Sequence, residues 1–381
     1  MRIAFYAPLK PPDHPVPSGD RLLARLFVDA LRAAGHEVEV ASRLRAFEGR
    51  GDAKRQARLA TVGAGLALRL IRRWQREPSR APQLWFTYHL YHKAPDAIGP
   101  IVSQALRIPY VVAEASFAPK QAGGRWAGGH GAVETAIRAA DAVVCINPAD
   151  AAMVDAIRDP STPLVALPPF IDVARFVAAG REAAALAEGL AGTADGPRLA
   201  TVAMMRPGDK LASYRLLATA LARLGERSWH LVVVGDGAAR AEVEAAFASF
   251  PARRVRFVGL QPSHAVAALL RTADLFVWPA VAEVLGLAML EAQACGVPVV
   301  AGRRPGSSAM IVDGATGVLV EAGDATAFAD AVGALLDDPA RRRALGEAAA
   351  QNARERHDVA SAAAALDALF ARVLASRRSS P

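Results

Sequence analysis

Short apolar, β-branched runs alternate with amphipathic stretches along the whole chain. In the first half the runs are RIAFYA (2–7), EVEVAS (37–42), LWFTY (84–88), PYVVAE (109–114), AVVCIN (142–147) and PLVALP (163–168). The second half repeats the rhythm with RLATVAM (198–204), WHLVVVG (229–235), RVRFVG (254–259), DLFVWP (274–279), VPVVAG (297–302) and GVLVE (317–321). Apolar runs of this length, bounded by turn residues, read as strands buried on both faces. The stretches between them carry helical spacing: in 19–37, Leu22, Leu26 and Ala30 recur every fourth residue and Gly35 supplies a stop. Strand, helix and strand in succession predict parallel sheets covered by helices, and two such series predict an α/β chain of two doubly wound, Rossmann-like domains. The seam is expected within 167–197, where Pro, Gly and Ala gather and no strand is readable. From about Pro339 the pattern is helical, with SRRSSP as a frayed end.

Composition narrows this picture. With 381 residues, 52% of them hydrophobic, 30 glycines, 25 prolines and no polar low-complexity tract, the chain reads as a punctuated globular protein rather than a disordered one. The apolar run after Arg2 is too short for a signal-peptide core, and no window supplies about 18 apolar residues free of charge or Pro/Gly interruption, so neither secretion nor a membrane span is expected. Two cysteines, Cys145 and Cys295, give little support to a disulfide framework or a Cys-based metal cluster and fit a reducing cytoplasm. The formal charge of +8 is concentrated: residues 43–80 hold eleven basic residues against Glu48, Asp52 and Glu77. One face of the N-terminal half is therefore basic.

In open α/β sheets ligands bind beyond the carboxyl ends of the strands, so the informative loops are those that follow strands. MMRPGDK sets Arg206 and Lys210 four residues apart around a Pro-Gly turn, where both can face one anion such as a diphosphate; a solvated surface pair is the alternative. In AEVLGLAMLEAQACG two glutamates, Glu283 and Glu291, stand eight residues apart in apolar surroundings, with a helix expected from near Gly286. The amides of Gly286 and Leu287 are candidate phosphate donors, and the glutamates suit the hydroxyls of sugar and ribose. The plainer reading gives Glu283 to the helix N-terminus and Glu291 to an arginine. In PVPSGDRLL, Gly19 lets a backbone approach a ligand while Ser18 caps the helix, and in VVVGDGAAR the pair Gly235 and Gly237 reads as half a dinucleotide fingerprint or as a tight turn.

Together these residues resemble the retaining glycosyltransferases of family 4, whose hallmark E-G-F-G-x-x-x-x-E-A stands here as EVLGLAMLEA followed by CGVPVV. Arg206 and Lys210 match the family's donor loop, VVVGDG its V-G-x-G turn, and VDGATGVLVEAGD its D-G-x-x-G-x-L-V-x-x-G-D segment. The resemblance implies a GT-B architecture, two Rossmann-like domains facing each other across a cleft. It divides the chain into an acceptor-side domain (1–170), a donor-binding domain (171–356) and a C-terminal helix (357–381) packing back on the first. It implies that Glu283 contacts the transferred sugar, Glu291 the ribose, Arg206 and Lys210 the diphosphate, and Gly19 the phosphate from the facing domain. Gly235 belongs to the donor-side turn, and the backbone of Gly259, Leu260 and Gln261 would hold the base. The implied reaction is sugar transfer with retention from a nucleotide-diphosphate sugar, UDP favoured, by front-face displacement and without metal or cofactor.

Three departures stand out. Relatives carry a histidine in the strand matching PYVVAEASF where this chain has Ala115, so Glu114 is expected to take over a sugar or acceptor contact, with Ser116 beside it and a structural role for Glu114 the alternative. Ala309 replaces a glutamate in RRPGSSAMIVDG, and Pro169-Phe170 replaces Asn-Gly in the hinge segment LPPFIDVARF. On the acceptor side, His89 and His92 follow a strand; their spacing without a third ligand is weak for metal. The 58–77 segment puts Leu66, Leu70 and Trp74 on one helical stripe and Arg69, Arg72, Arg73 and Arg76 largely elsewhere, so peripheral association with an anionic membrane through residues 43–80 is weighed against an ordinary covering helix. A cytoplasmic location, on the inner membrane face in the first case, follows. Nucleic acid is not expected. The rival functions are a sugar-nucleotide epimerase or hydrolase on the same fold and a non-catalytic sugar-nucleotide-binding protein; acceptor, sugar and base stay open.

Overall fold

A computed structural model describes residues 1–16, 18–177, 181–192 and 196–379, the side chains of 181–184 and 378–379 excepted. The chain divides into two compact units, one of residues 1–167 with 359–381 and one of residues 168–358. The first contains β1 (Arg2–Tyr6), α1 (Gly19–Ala33), β2 (Glu37–Ser42), α2 (Ala53–Arg76), β3 (Leu84–Leu90), α3 (Gly99–Leu106), β4 (Tyr110–Ala115), α4 (Ala127–Arg138), β5 (Ala142–Cys145), α5 (Pro148–Asp155) and β6 (Leu164–Ala166). The second contains α6 (Ala174–Val177), α7 (Arg181–Ala191), β7 (Arg198–Val202), α8 (Asp209–Ala222), β8 (His230–Val234), α9 (Arg240–Ala246), β9 (Val255–Gly259), α10 (Ser263–Arg271), β10 (Leu275–Trp278), α11 (Ala288–Ala294), β11 (Val299–Gly302), α12 (Pro305–Ser308), β12 (Gly317–Val320), α13 (Ala325–Asp337) and α14 (Pro339–Arg356). A last helix, α15 (Val359–Ser379), belongs to the first unit.

Each unit has one six-stranded parallel sheet, ordered β2-β1-β3-β4-β5-β6 in the first and β12-β11-β10-β7-β8-β9 in the second. The strand order reverses between β1 and β3 in one and between β7 and β10 in the other. At such a reversal neighbouring crossovers leave in opposite directions and open a crevice at the strands' carboxyl ends. The central strands are buried throughout, as their continuous apolar runs require: every residue of β4, β5, β8, β10 and β11 is buried. The 167–197 seam contains α6 and α7; its residues 178–180 and 193–195 lie outside the described set. Where the chain leaves and re-enters the second unit, the segments are tied together: Ile171 N–H donates to the His357 carbonyl at 2.9 Å, and the His357 ring lies 2.6 Å from the Pro169 carbonyl.

One helix decides between two readings the sequence left open, and another departs from expectation. The stripe of α2 proposed to rest on lipid faces the first unit's own core: Trp74 is 1% exposed, and Leu66 and Leu70 pack against the same cluster. An ordinary covering helix is what folds, with Arg58, Arg69, Arg72 and Arg76 on its exposed side. Conversely, Val359–Arg377 is long and apolar enough to cross a membrane by length and composition alone, with a mean hydropathy of 1.5, although the sequence reading found no such window. Alanine supplies much of that hydropathy. The larger side chains Leu366, Leu369, Phe370 and Val373 are buried, the helix packs along α1, and Phe370 meets Phe86 edge-on at 6.1 Å. The end expected to fray is helical through Ser379, with Arg377 donating twice to Asp141 at 2.7 and 2.9 Å; Ser380 and Pro381 lie outside the described residues.

Replacing Phe370, fully buried against these aromatic rings, by Ala is expected to cost the first unit about 3–5 kcal/mol. Urea titration should show this as a lowered midpoint for that unit's transition; an unchanged midpoint would mean α15 does not complete the core.

Candidate functional site

The loop after β7 is shaped by the glycines after β8. A Cβ on Gly235 would stand 1.9 Å from the Ala203 carbonyl oxygen, and one on Gly237 would stand 2.2 Å from that of Met205. Both have positive φ, 141° and 154°, open to glycine at low cost. The contact lets Met205 N–H reach the Asp236 carbonyl and Ala239 N–H the Met205 carbonyl, each at 2.9 Å. The tight-turn reading of Gly235 and Gly237 is the one that folds, and its effect is to fix the segment leading to Arg206. Gly208, with φ 83°, then turns the chain into α8 and sets Lys210 in its first turn. Arg206 is exposed, and its guanidinium has no partner among the described residues.

Across the strand-order reversal, β10 ends at Trp278 and the chain turns through Ala280, whose φ of 51° is unusual for a residue with a Cβ. The turn is held from three sides. Ser213 of α8 accepts from Val281 N–H at 3.1 Å, Arg304 donates to the Val281 carbonyl, and Gly306 lies so close that a Cβ there would be 1.8 Å from the Val284 carbonyl oxygen. Glu283 is thereby aimed at Lys210. Lys210 donates to its Oε2, Trp278 Nε1–H donates to the same oxygen at 3.1 Å, and the ammonium sits 5.3 Å from the Trp278 ring centre. The two charged side chains are only 18% and 13% exposed. Tyr214 braces the indole edge-on at 5.0 Å while its hydroxyl donates to the Ala203 carbonyl at 2.8 Å. Oε1 of Glu283 has no partner among the described residues and is left to accept from a hydroxyl.

The expected helix start near Gly286 is corrected: α11 begins at Ala288 with Leu287 as its cap, because Gly286 has φ 69° and sits outside helical space. A Cβ on Gly286 would be 2.8 Å from Glu283 Cγ, so this glycine makes room for the glutamate. Glu291 lies in the first turn of α11. No arginine or lysine pairs with it among the described residues, so the pairing proposed as its structural role is not what folds. Loss of water around its carboxyl pushes the pKa up to about 7. At the end of β9, Gly259 turns with φ 71° and its carbonyl accepts from Gly235 N–H at 2.9 Å. Leu260 beside it is 70% exposed, and Gln261 donates to the Val258 carbonyl at 2.6 Å.

The first unit has its own cluster at its reversal point. Gly19 opens α1, a Cβ there would meet nothing within 4 Å, and Ser18 caps the helix by accepting from Arg21 N–H at 3.2 Å. His89 near the end of β3 and Glu114 near the end of β4 both have positive φ, 64° and 58°. Backbone strain in side-chain-bearing residues at neighbouring strand ends is a feature of functional sites. His89 Nδ1 lies 3.3 Å from Asp20, whose burial works to raise its pKa and is outweighed by the hydrogen bond and charge of His89, leaving it below the ordinary carboxylate value. Burial pushes the Glu114 pKa up, against the pull of His89 and of the Ile146 and Asn147 amides it accepts from at 3.3 Å. Ala115 is 1% exposed, and Ser116 donates its N–H to the Leu90 carbonyl at 2.9 Å. His92 sits against Trp126 at 5.6 Å, while both histidine rings contact Tyr91, at 5.2 and 5.4 Å.

Glu283, Lys210 and Trp278 are therefore in mutual contact, as are His89 and Asp20. Trp278, Asp20 and Arg304 escaped the sequence reading. The first two had a signal, an indole as the last residue of a strand and an acid directly after the singled-out Gly19; Arg304 acts through a backbone contact that spacing does not encode.

Residues 202–352 match the family described as Glycosyl transferases group 1. A protein of Nocardia farcinica named D-inositol 3-phosphate glycosyltransferase is 36% identical over 189 residues, which is 47% of this chain and 41% of that protein. The chain spans only about a fifth to two fifths of the length of such curated relatives. Among solved structures, sucrose-phosphate synthase from Thermosynechococcus elongatus superposes with a TM-score of 0.71 at 20% identity, covering 99% of this chain and 100% of that one. The Anabaena protein HepE in complex with UDP-glucose gives 0.70 at 17%, covering 99% and 100%. These likenesses establish the fold, GT-B.

Glu291 carries a pH signature. Its folded pKa of about 7 lies above the ordinary 4.5, so the folded state holds the proton longer and stability falls as pH rises from about 4.5 through 7. Glu291→Gln is expected to remove that part of the decline, so its stability relative to the parent should grow across this window in urea titrations at fixed pH. Parallel curves would place the carboxyl in water.

Proposed function

We propose that this chain, whose residues 202–352 match the group 1 glycosyl transferases, moves a sugar from a nucleoside diphosphate sugar, preferentially a UDP-sugar, to an acceptor hydroxyl with retention at the anomeric carbon. The observation that carries the reading is the contact of Lys210, Glu283 and Trp278 at the β7/β10 reversal, two ends of one crevice supplying a cation for phosphate and a carboxylate for sugar hydroxyls. Support for UDP comes from the HepE structure, described as a complex with UDP-glucose.

In this reading Arg206 and Lys210 bind the diphosphate, the amides of Gly286 and Leu287 add donors, and Gly259, Leu260 and Gln261 take the base. Glu291 accepts from the ribose and Oε1 of Glu283 from the sugar, while Gly19, Glu114, His89, His92 and Ser116 are the candidates on the first unit. The acceptor oxygen attacks the anomeric carbon on the face from which the phosphate departs; the bond from that carbon to the phosphate oxygen breaks, and the acceptor proton passes to the departing phosphate. Lys210 and Arg206 stabilise the charge that builds there, the electrostatic work a metal does in other enzymes, so the reaction proceeds without one. When the donor arrives, Lys210 exchanges Glu283 for phosphate, and the carboxylate so released turns to the sugar.

Melting curves with UDP-, GDP- and ADP-sugars in the presence of a chelator test this. UDP-sugars are expected to stabilise the protein most, by about 2.7 kcal/mol at a hundredfold excess over Kd. Glu283→Gln should lower turnover roughly 100-fold or more while UDP still binds. A product epimeric at one sugar carbon with its nucleotide still attached would replace transfer by epimerisation.

A further inference from the structure

A guanidinium borders the turn at the end of β9. Gly259 takes φ 71°, and a Cβ there would stand 3.7 Å from Nη1 of Arg240, the first residue of α9. Two carboxylates hold this guanidinium from different sides. Its Nε–H donates to Glu244 Oε1 at 2.7 Å, one turn further along α9, and its Nη1 donates to Asp236 Oδ2 at 3.2 Å, in the loop before the helix. Asp236 is itself fixed, since its other oxygen accepts from Gly237 N–H at 2.7 Å. Bonds to two separate acids set the plane of the fork, and Nη2 has no partner among the described residues. Two other polar groups of the turn are occupied by the protein: the Gly259 carbonyl accepts from Gly235 N–H at 2.9 Å, and the Gln261 amide nitrogen donates to the Val258 carbonyl at 2.6 Å. Beside them Leu260 is 70% exposed, more than any other large apolar side chain among the described residues. The turn therefore presents an apolar side chain and, next to it, a charged donor fixed in one orientation.

We infer that Arg240 determines which nucleotide base the site takes: its free Nη2 edge donates to a ring carbonyl, so keto bases (uracil, guanine) are accepted and amino bases (cytosine, adenine) are rejected. The inference rests on the glycosyl-transfer reading for the presence of a base at Gly259 to Gln261, and on the Arg240 geometry for the selection. Uracil and cytosine have nearly the same shape. They differ at ring position 4, where uracil has an oxygen that accepts and cytosine an amino group that donates. A guanidinium has donors only, so opposite an amino group two donors meet and both lose water without return. Opposite the oxygen the bond is charge-assisted and correspondingly strong. A site that hydrogen-bonds one ring substituent separates such look-alikes far better than an apolar slot, which reads shape alone. The two acids matter because they deny the fork other orientations; a lysine at this position would be a mobile point charge.

The test is calorimetric titration of the full chain with UDP, CDP, GDP and ADP. UDP and CDP carry the same ribose and diphosphate, so the ratio of their affinities isolates the base. UDP is expected to bind at least about tenfold more tightly than CDP, and GDP more tightly than ADP. Arg240→Met, at a side chain 39% exposed and outside the core, should bring the UDP/CDP ratio to within about twofold of unity. Arg240→Lys keeps the charge without the fork and should lose the ratio as well; a ratio kept by lysine would mean that any cation selects the base and would overturn the claim for the fixed fork. A parent ratio near unity, or a ratio preserved in Arg240→Met, overturns the inference while UDP binding leaves the donor reading standing. Failure of all four nucleotides to bind removes the donor reading and the inference with it.

Discussion

A carboxylate largely removed from water needs partners, and Glu283 obtains an ammonium and an indole N–H on a single oxygen. That arrangement depends on the strand-order reversal between β7 and β10, since Lys210 enters from the helix after one strand and Glu283 from the loop after the other. Much of the surrounding structure keeps these two ends in register. Gly235 and Gly237 clamp the β7 loop, Tyr214 joins that loop to Trp278, and Ser213, Arg304 and Gly306 hold the β10 loop. Removing either charge would leave the other buried without its counterpart, a costlier state than losing a surface pair. The pair is thus stable at rest and available for exchange when a ligand offers each member a better partner.

The first unit reaches a comparable arrangement with different chemistry. At its own reversal point two strand ends hold His89 and Glu114 in left-handed conformations, and His89 approaches Asp20 from the opposite helix. Glu114 is also satisfied by two backbone amides, so its place in the fold and a contact with substrate are compatible. In the segment before α2, the amides of residues 50–52 likewise satisfy the carboxylate of Glu48 and hold it ionised.

Much of this was legible in the sequence. Each strand was marked by a continuous apolar run, because strands buried on both faces leave little room for polar residues, and the convergence of Glu283 with the Arg206–Lys210 loop was implied by the resemblance to family 4. What escaped depended on three-dimensional contact. The α2 stripe reads the same whether it meets lipid or its own sheet, and alanine makes α15 as hydropathic as a membrane span although its leucines and Phe370 serve a core. The start of α11 moved because Gly286 takes a conformation that helical periodicity does not register. Arg304 and the amides around Glu48 work through backbone atoms, which spacing between side chains cannot show.

A crystal structure with bound UDP-glucose bears most directly on the central claim, that the β7/β10 reversal is where the sugar-diphosphate sits. The account predicts Lys210 Nζ within hydrogen-bonding distance of a phosphate oxygen and drawn off Glu283, whose carboxylate then accepts from a glucose hydroxyl. A diphosphate held elsewhere, with the Lys210–Glu283 contact undisturbed, would contradict it.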